Sequence, residues 1–121
     1  VHVSQIGGLT PARKLAAFCE AFGVRTAFHS PGDITPVGVM AQLHLDLAIP
    51  NFGIQEFAGF SEEEREVFPG CPEVRNGYLY ANDQPGYGME LDEKAAAKYP
   101  CSYREPGWLL ARTTDGTAVR P

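Results

Sequence analysis

The sequence has 121 residues, which is enough for one domain and too few for two of ordinary size. Hydrophobic residues make up 44% of the chain and charged residues 21%, so a packed core is expected and general disorder is excluded. The formal charge is −5 and the 10 basic residues are scattered along the chain, which argues against nucleic-acid binding.

The apolar stretches and the cysteines bear on membrane insertion and on the redox setting of the protein. The longest mostly apolar stretches are about a dozen residues, well short of the roughly 20 that cross a bilayer, so a membrane-spanning helix is not expected. The 3 cysteines are odd in number and show no CxxC spacing. Since no signal peptide opens the chain either, we predict a reducing, cytoplasmic setting.

The chain begins with alternating strand and helix patterns. Residues 1–6 predict a first strand, and residues 11–22 predict a helix with Thr10 as its N-cap and Gly23 as its C-cap glycine. Apolar residues in this helix recur at helical spacing and predict a buried stripe of Leu15, Phe18, Cys19 and Phe22.

Two further strands follow with a helix between them. The patterns predict a strand over 24–29, a helix over 36–49 and a strand over 52–57. Because the connections are short, the three strands should be parallel, with right-handed crossovers and helices on the outer face. Residues 1–58 are therefore predicted to form an α/β unit.

The remainder, residues 59–121, is rich in loops. Ser61 and the three glutamates after it form a capping box that predicts a short acidic helix. Short strands are expected around residues 78–80, a small helix after Asp92, and a turn over 114–117. This part has little periodicity of its own, so we expect it to lie over another surface.

Polar residues follow each predicted strand of the α/β unit. In parallel sheets and barrels the carboxyl ends of strands gather ligands. The residues there are Gly7 and Gly8, then His29 and Asp33, then Gln55 and Glu56. A histidine with two carboxylates at a cleft can protonate a leaving hydroxyl, hold sugar hydroxyls or ligate a metal.

Each candidate also has a structural interpretation. His29 could bond its own loop, and Asp33 could cap the helix that starts at residue 36. Glu56 favours function, because a carboxylate ending an apolar strand is costly unless it is paired or hydrated. His44, in an apolar helix, favours a packing role, and His2 has no identifiable role. The cysteines are interpreted as structural, since nothing near them lowers a thiol pKa.

Several segments resemble the C-terminal part of the mannonate dehydratase group of the enolase superfamily. The segments that carry the resemblance most specifically are GGLT at 7–10, FHSPGDITPV at 28–37 and PNFGIQE at 50–56. Further segments that resemble the group are VFPG at 67–70, PGYG at 85–88 and AKYP at 97–100. The resemblance thus spans nearly all of the chain.

The resemblance implies a modified (β/α) TIM-type barrel with a capping domain. This chain would supply strands six to eight, and residues 59–121 would return to pack on the cap. Members of the group dehydrate acid sugars such as D-mannonate or D-gluconate to 2-keto-3-deoxy acids, using Mg²⁺. The metal stabilises an enediolate formed when a base removes the proton next to the carboxylate, and an acid assists departure of the 3-hydroxyl.

Carried over to this sequence, the resemblance makes His29 catalytic and substrate-binding, and makes Asp33 and Glu56 substrate-binding. The group's metal ligands and general base come from earlier strands and loops, so no metal ligand is expected in this segment. The chain is therefore interpreted as a fragment, inactive on its own, of a Mg²⁺-dependent hydro-lyase. Its expected partners are a sugar-acid substrate, the rest of the barrel and cap, and further copies in a homo-oligomer.

Two departures from the group bear on the substrate. Efficient mannonate dehydratases of the group have Gly-Ala-Thr where this chain has Ser-Pro-Gly at 30–32, and their ends contain tryptophan where this chain has residues 118–121. Both favour the less efficient or gluconate-acting branch, or members with no known dehydration, over D-mannonate specificity. They also leave open a non-catalytic sugar-acid-binding or regulatory homologue, and a free-standing small α/β domain is a third interpretation.

Overall fold

The computed structural model describes residues 1–32, 34–102 and 112–117. Two small sheets and four helices occur in this part of the chain. In chain order they are α1 (Leu9–Ala21), β1 (Thr26–Phe28), α2 (Pro36–Ala48), β2 (Phe52–Gln55), α3 (Glu62–Val67), β3 (Glu73–Arg75), β4 (Tyr78–Tyr80) and α4 (Glu93–Ala96). Over these same residues, none of the helices has the length and apolar character needed to span a membrane.

Strands β1 and β2 form a parallel pair joined through α2, as predicted. The Thr26 N–H donates to the Asn51 carbonyl at 2.9 Å, and the Glu56 N–H donates to the Phe28 carbonyl at 3.3 Å. A side chain at Gly53 would place its Cβ only 2.5 Å from the Thr26 carbonyl oxygen. Glycine at this position therefore allows the two strands to approach closely.

The segment 1–6 is not a strand, so that prediction is wrong. Its backbone groups bond within the segment: the Ile6 N–H donates to the His2 carbonyl at 3.0 Å and the Gly8 N–H to the Val3 carbonyl at 2.8 Å. Groups used in such turns are not free to form a ladder with β1. The Val1 carbonyl still accepts a hydrogen bond from the residue that follows β1, which keeps the segment beside that strand.

Helix α1 ends as the sequence predicts and begins earlier. Its N-cap is Gly8 rather than Thr10. At the other end Gly23 has a φ of 68°, and the N–H groups of Gly23 and Val24 each donate at 2.9 Å to carbonyls of the last helical turn. This is the glycine-terminated C-cap that the pattern indicates.

The buried face of α1 differs from the predicted stripe. Phe18 is 64% exposed and Phe22 70% exposed, and their rings lie 5.0 Å apart on the surface. Ala12 and Ala16 are the buried residues, and the Asn51 side-chain amide donates to the Ala16 carbonyl at 2.9 Å. Ala12 packs in the buried cluster with Phe28 and Leu45, whereas the two phenylalanines face away from it.

The described core lies between α1, β1 and α2. One cluster consists of Val3, Ala12, Phe28 and Leu45, with Ile6, Leu9 and Ile49 packed against it. The N-cap of α2 is Thr35, whose side chain accepts from the Gly38 N–H at 3.3 Å. The capping role left open for Asp33 is thus filled by Thr35, and Asp33 itself lies outside the described residues.

Beyond residue 58 the elements are short and capped locally. The predicted capping box is present, since the Ser61 hydroxyl accepts from the Glu64 N–H and the Glu64 carboxylate accepts from the Ser61 N–H. The small helix after Asp92 is also confirmed. Its N-cap is the Asp92 carboxylate, which accepts a hydrogen bond from the Lys94 N–H at 2.9 Å. The Glu66 carboxylate links α3 to the residues that follow α4 by accepting hydrogen bonds from Lys98 and Tyr99.

The predicted strand at 78–80 has an antiparallel partner that the sequence analysis did not specify. Strands β3 and β4 are joined by Asn76 and Gly77, which have φ values of 52° and 80°. Two positive φ values are the signature of a type I′ hairpin turn. The division of the chain at residue 58 and the return of residues 59–121 to a cap stay predictions.

Candidate functional site

His29 and Glu56 are brought together by the parallel pairing of β1 and β2. Phe28 and Gln55 are partners in the register, so the residues that follow them emerge side by side at the carboxyl edge of the sheet. The His29 Nε2 lies 3.6 Å from the Glu56 Oε2. Their side chains are 53% and 56% exposed, so both can be reached from solvent.

The Glu56 carboxylate also contacts the loop after β1. The Ser30 N–H donates to the same Oε2 atom at 3.4 Å. Ser30 is buried, and its hydroxyl has no hydrogen-bond partner among the described residues. The carboxylate of Glu56 is therefore oriented by one backbone donor and one imidazole.

The backbone of His29 is held from two sides. Its N–H donates to the Val1 carbonyl at 2.9 Å, and its carbonyl accepts from the Gln42 Nε2 at 3.2 Å. The side chain of His29 contacts the ring of His2, with ring centroids 4.7 Å apart. Sequence analysis gave neither His2 nor Gln42 a role, because only the fold brings residues from distant segments against the strand end.

An open cavity lies at this edge of the sheet. Its volume is about 440 Å³, and its lining includes Val1, Phe28, His29, Gln55 and Glu56. Ligand pockets in proteins commonly measure 300–1,000 Å³. The pair of His29 and Glu56 thus borders a space large enough for a small ligand.

The described residues do not form a magnesium site by themselves. No group of three or more His, Cys, Asp or Glu lies close enough to hold a metal ion within residues 1–32, 34–102 and 112–117. Mg²⁺ favours octahedral oxygen ligation, and one carboxylate beside an imidazole falls short of that. The location of the metal ligands upstream stays a prediction.

A second cavity of about 360 Å³ lies between α2, β2 and the hairpin, and contains neither His29 nor Glu56. Asp46 lines it and is only 6% exposed, with no hydrogen-bond partner for either carboxylate oxygen among the described residues. Burial raises the pKa of Asp46 to about 7. The sequence offers one indication of this buried carboxylate, which is that Asp46 interrupts the apolar helix pattern of 36–49.

One of the three cysteines lies in a setting that disfavours a nucleophilic thiolate. Cys19, Cys71 and Cys101 are all free. Burial raises the pKa of the Cys71 thiol, which disfavours the reactive thiolate. For Cys71 this agrees with the structural role that the sequence predicts. His44, likewise expected to pack, lies half-buried with its ring 5.6 Å from that of Tyr87.

Comparisons with known proteins place this arrangement in a family. The enolase C-terminal domain-like family matches residues 1–95. A D-galactonate dehydratase family member from Enterocloster bolteae is 62% identical over 121 residues, covering 100% of this chain and 30% of that protein.

Two solved structures are similar to this chain in both sequence and fold. An enolase from Pantoea ananatis with bound D-gluconate and Mg is 59% identical, with a TM-score of 0.84, over 99% of this chain and 29% of that one. A mandelate racemase/muconate lactonizing enzyme from Jannaschia sp. CCS1 is 29% identical with a TM-score of 0.72, over 82% and 25% of the two chains. The chain therefore spans about 30% of the length of the relatives it matches.

These matches confirm the superfamily that the sequence resembles but not the group within it. The superfamily, its α/β barrel-type fold and Mg²⁺ as the metal of the family are confirmed. The relatives are described as D-galactonate dehydratase family members, so the more specific likeness to mannonate dehydratases gains no support from them. The chain belongs to the enolase C-terminal domain-like family of the enolase superfamily.

Proposed function

We propose that this chain contributes His29 and Glu56 to the active site of a Mg²⁺-dependent sugar-acid dehydratase. The proposed substrate is an aldonate of the D-gluconate or D-mannonate type, and the product is the 2-keto-3-deoxy acid. The observation that carries the proposal is the 3.6 Å approach of His29 Nε2 to Glu56 Oε2 at the carboxyl edge of two parallel strands. The Pantoea relative, which holds D-gluconate and Mg, supports the substrate class.

In this reaction His29 serves as the general acid. A base outside these residues removes the C2 proton, and the electron pair left at C2 forms a double bond to C3 as the bond between C3 and its hydroxyl oxygen breaks. The Nε2 proton of His29 passes to that oxygen, so that water leaves. Glu56 lies beside the imidazole and accepts a hydrogen bond from the Ser30 N–H. Its carboxylate is therefore placed to accept a hydrogen bond from a sugar hydroxyl while the Nε2 proton of His29 goes to the leaving oxygen. The described residues do not fit Mg²⁺ by themselves, and no step on this chain is assigned to the metal.

The remaining features of the proposal concern the whole protein. Residues 1–58 would supply the last part of the barrel, with β1 and β2 as its seventh and eighth strands. Residues 59–121 would pack on the cap, and Asp33 would bind substrate. Metal ligands and the general base would come from a longer polypeptide, in a cytoplasmic homo-oligomer.

A chimera tests this function. The residues of this chain replace the segment that they match in the Pantoea ananatis enolase, and the hybrid is assayed with Mg²⁺ and D-gluconate, D-mannonate or D-galactonate for 2-keto-3-deoxy product. We expect turnover of at least one aldonate. His29→Asn should lower it about 10²- to 10⁴-fold, the usual contribution of a general acid.

His44→Asn is the matched control, since His44 is half-buried against Tyr87 and lies outside the proposed site. It should retain most of the turnover. A folded chimera that converts none of the three acids contradicts the dehydratase. Thermal stabilisation by an aldonate without turnover would instead favour the sugar-acid-binding homologue.

A further inference from the structure

The peptide group between His29 and Ser30 links the two proposed site residues, because it belongs to His29 at one end and donates a hydrogen bond to Glu56 at the other. Its carbonyl accepts from the Gln42 Nε2 at 3.2 Å, and its N–H donates to the Glu56 Oε2 at 3.4 Å. The peptide group is planar and its C=O and N–H point in opposite directions. A hydrogen bond that fixes the carbonyl therefore also fixes the direction of the N–H toward Glu56.

Gln42 reaches this peptide from the middle of α2, where it is fully buried. Its neighbours Ala41 and Leu43 are also buried, so an aliphatic side chain would suit this position. Its Oε1 has no hydrogen-bond partner among the described residues. A buried amide that satisfies only its donor half costs free energy, so packing alone does not account for a glutamine here.

We propose that Gln42 is a positioning residue for the site, which it organises through the peptide group that joins His29 to Ser30. The amide of Gln42 holds the His29 carbonyl, and the Val1 carbonyl holds the His29 N–H at 2.9 Å. These bonds fix the backbone that carries the His29 imidazole, and they orient the Ser30 N–H toward the Glu56 carboxylate. The inference deepens the proposed function and depends on it for its consequence in catalysis.

The first test needs no activity. In the 121-residue chain, the amide resonance of Ser30 is followed by NMR while the pH is raised through the ionisation of Glu56. In the wild type the Ser30 amide proton should shift with that ionisation, because it donates to the carboxylate. Glu56→Gln should abolish the shift, which identifies its source.

The decisive variants change the amide at position 42. Gln42→Leu keeps a similar volume and removes the donor, so the Ser30 shift should be lost while the chain stays folded. Met40→Leu is the matched control, since Met40 lies in the same helix, is 1% exposed and carries no N–H or O–H group that could donate to the site. It should retain the shift. Gln42→Asn keeps the amide on a shorter side chain and serves as a second variant if Gln42→Leu does not fold.

The second test uses the active chimera. Gln42→Leu should lower kcat about 10- to 100-fold, the size of effect expected from misplacing a reacting group by about 1 Å, and should change KM far less. Met40→Leu should leave kcat near the wild-type value. A Ser30 shift that survives in Gln42→Leu, or in Gln42→Asn if only that variant folds, together with unchanged kcat, overturns the inference. If Gln42→Leu loses the Ser30 shift in the 121-residue chain but the chimera with the unchanged sequence turns over no aldonate, the proposed function alone is overturned.

Discussion

The α/β part (residues 1–58) and the C-terminal part (residues 59–121) are held together in different ways. Ten of the eleven buried hydrophobic residues in the described chain lie in the α/β part, and the eleventh is Ala95 in α4. Hydrogen bonds in the α/β part also join distant segments, as when Asn51 bonds the carbonyls of Ala16 and Val24 at 2.9 Å each.

The C-terminal part is held mainly by hydrogen bonds, some within one helical turn and others between α3 and the residues that follow α4. Ser61 and Glu64 close the start of α3, and Asp92 caps α4. The Asn82 amide bridges the carbonyls of Gly70 and Gly88 at 3.2 and 2.7 Å. The difference shows that burial across the sequence stabilises the part that carries His29 and Glu56, whereas hydrogen bonds, among them local helix caps, shape the rest.

The largest expected effect comes from the core of the α/β part. Met40 is 1% exposed, so Met40→Ala removes buried methylene groups and leaves a cavity. The free energy of unfolding should fall by about 2–5 kcal/mol. Urea denaturation followed by circular dichroism measures it.

Leu91→Ala is the control from the C-terminal part, because Leu91 is 55% exposed. It should change the free energy of unfolding by about 0.5 kcal/mol or less. Equal losses in the two variants would mean that the two parts do not differ in how burial stabilises them.

Most elements of both parts could be predicted because their signals are local. The glycine at residue 23, the Pro36 that opens α2 and the capping residues Ser61 and Asp92 each act within one helical turn. The failures involve contacts between segments. Helical spacing shows that α1 has an apolar stripe, but the side that packs is decided by Ala12 and its neighbours in the fold.

The same distinction applies to the site. The position of His29 and Glu56 at neighbouring strand ends could be predicted, because parallel pairing brings carboxyl ends together. The contact between Gln42 and the His29 carbonyl could not be predicted, since it depends on which face of α2 turns toward that carbonyl. Asp33 lies outside the described residues, so its role in substrate binding is still a prediction.

A second prediction concerns the buried carboxylate of α2. Burial raises the pKa of Asp46 from 3.8 to about 7, so between these values the folded chain keeps a proton that the unfolded chain has lost. The stability associated with this proton is fully present below about pH 4 and is lost as the pH rises through about 7. Asp46→Asn removes that dependence.

At pH 8 the Asp46→Asn variant should therefore be more stable than the wild type, by as much as about 4 kcal/mol. The two should converge near pH 4, which serves as an internal control. Denaturation at a series of pH values measures the difference. If the difference in free energy of unfolding between the wild type and the variant is the same at pH 4 and pH 8, Asp46 does not keep its proton on folding.

The smallest expected effect tests the C-terminal part. Ser61→Ala removes the hydroxyl that accepts from the Glu64 N–H and should lower the stability of α3 by about 1 kcal/mol. Because the bond is local, amide hydrogen exchange should speed up within 61–68, whereas amides of α2 and β1 should exchange as in the wild type. Ser61→Asp supplies another capping acceptor and should restore the protection. If Ser61→Ala instead speeds exchange across α2 as well, the two parts unfold as one unit, and local caps then contribute to the stability of the strand ends that carry His29 and Glu56.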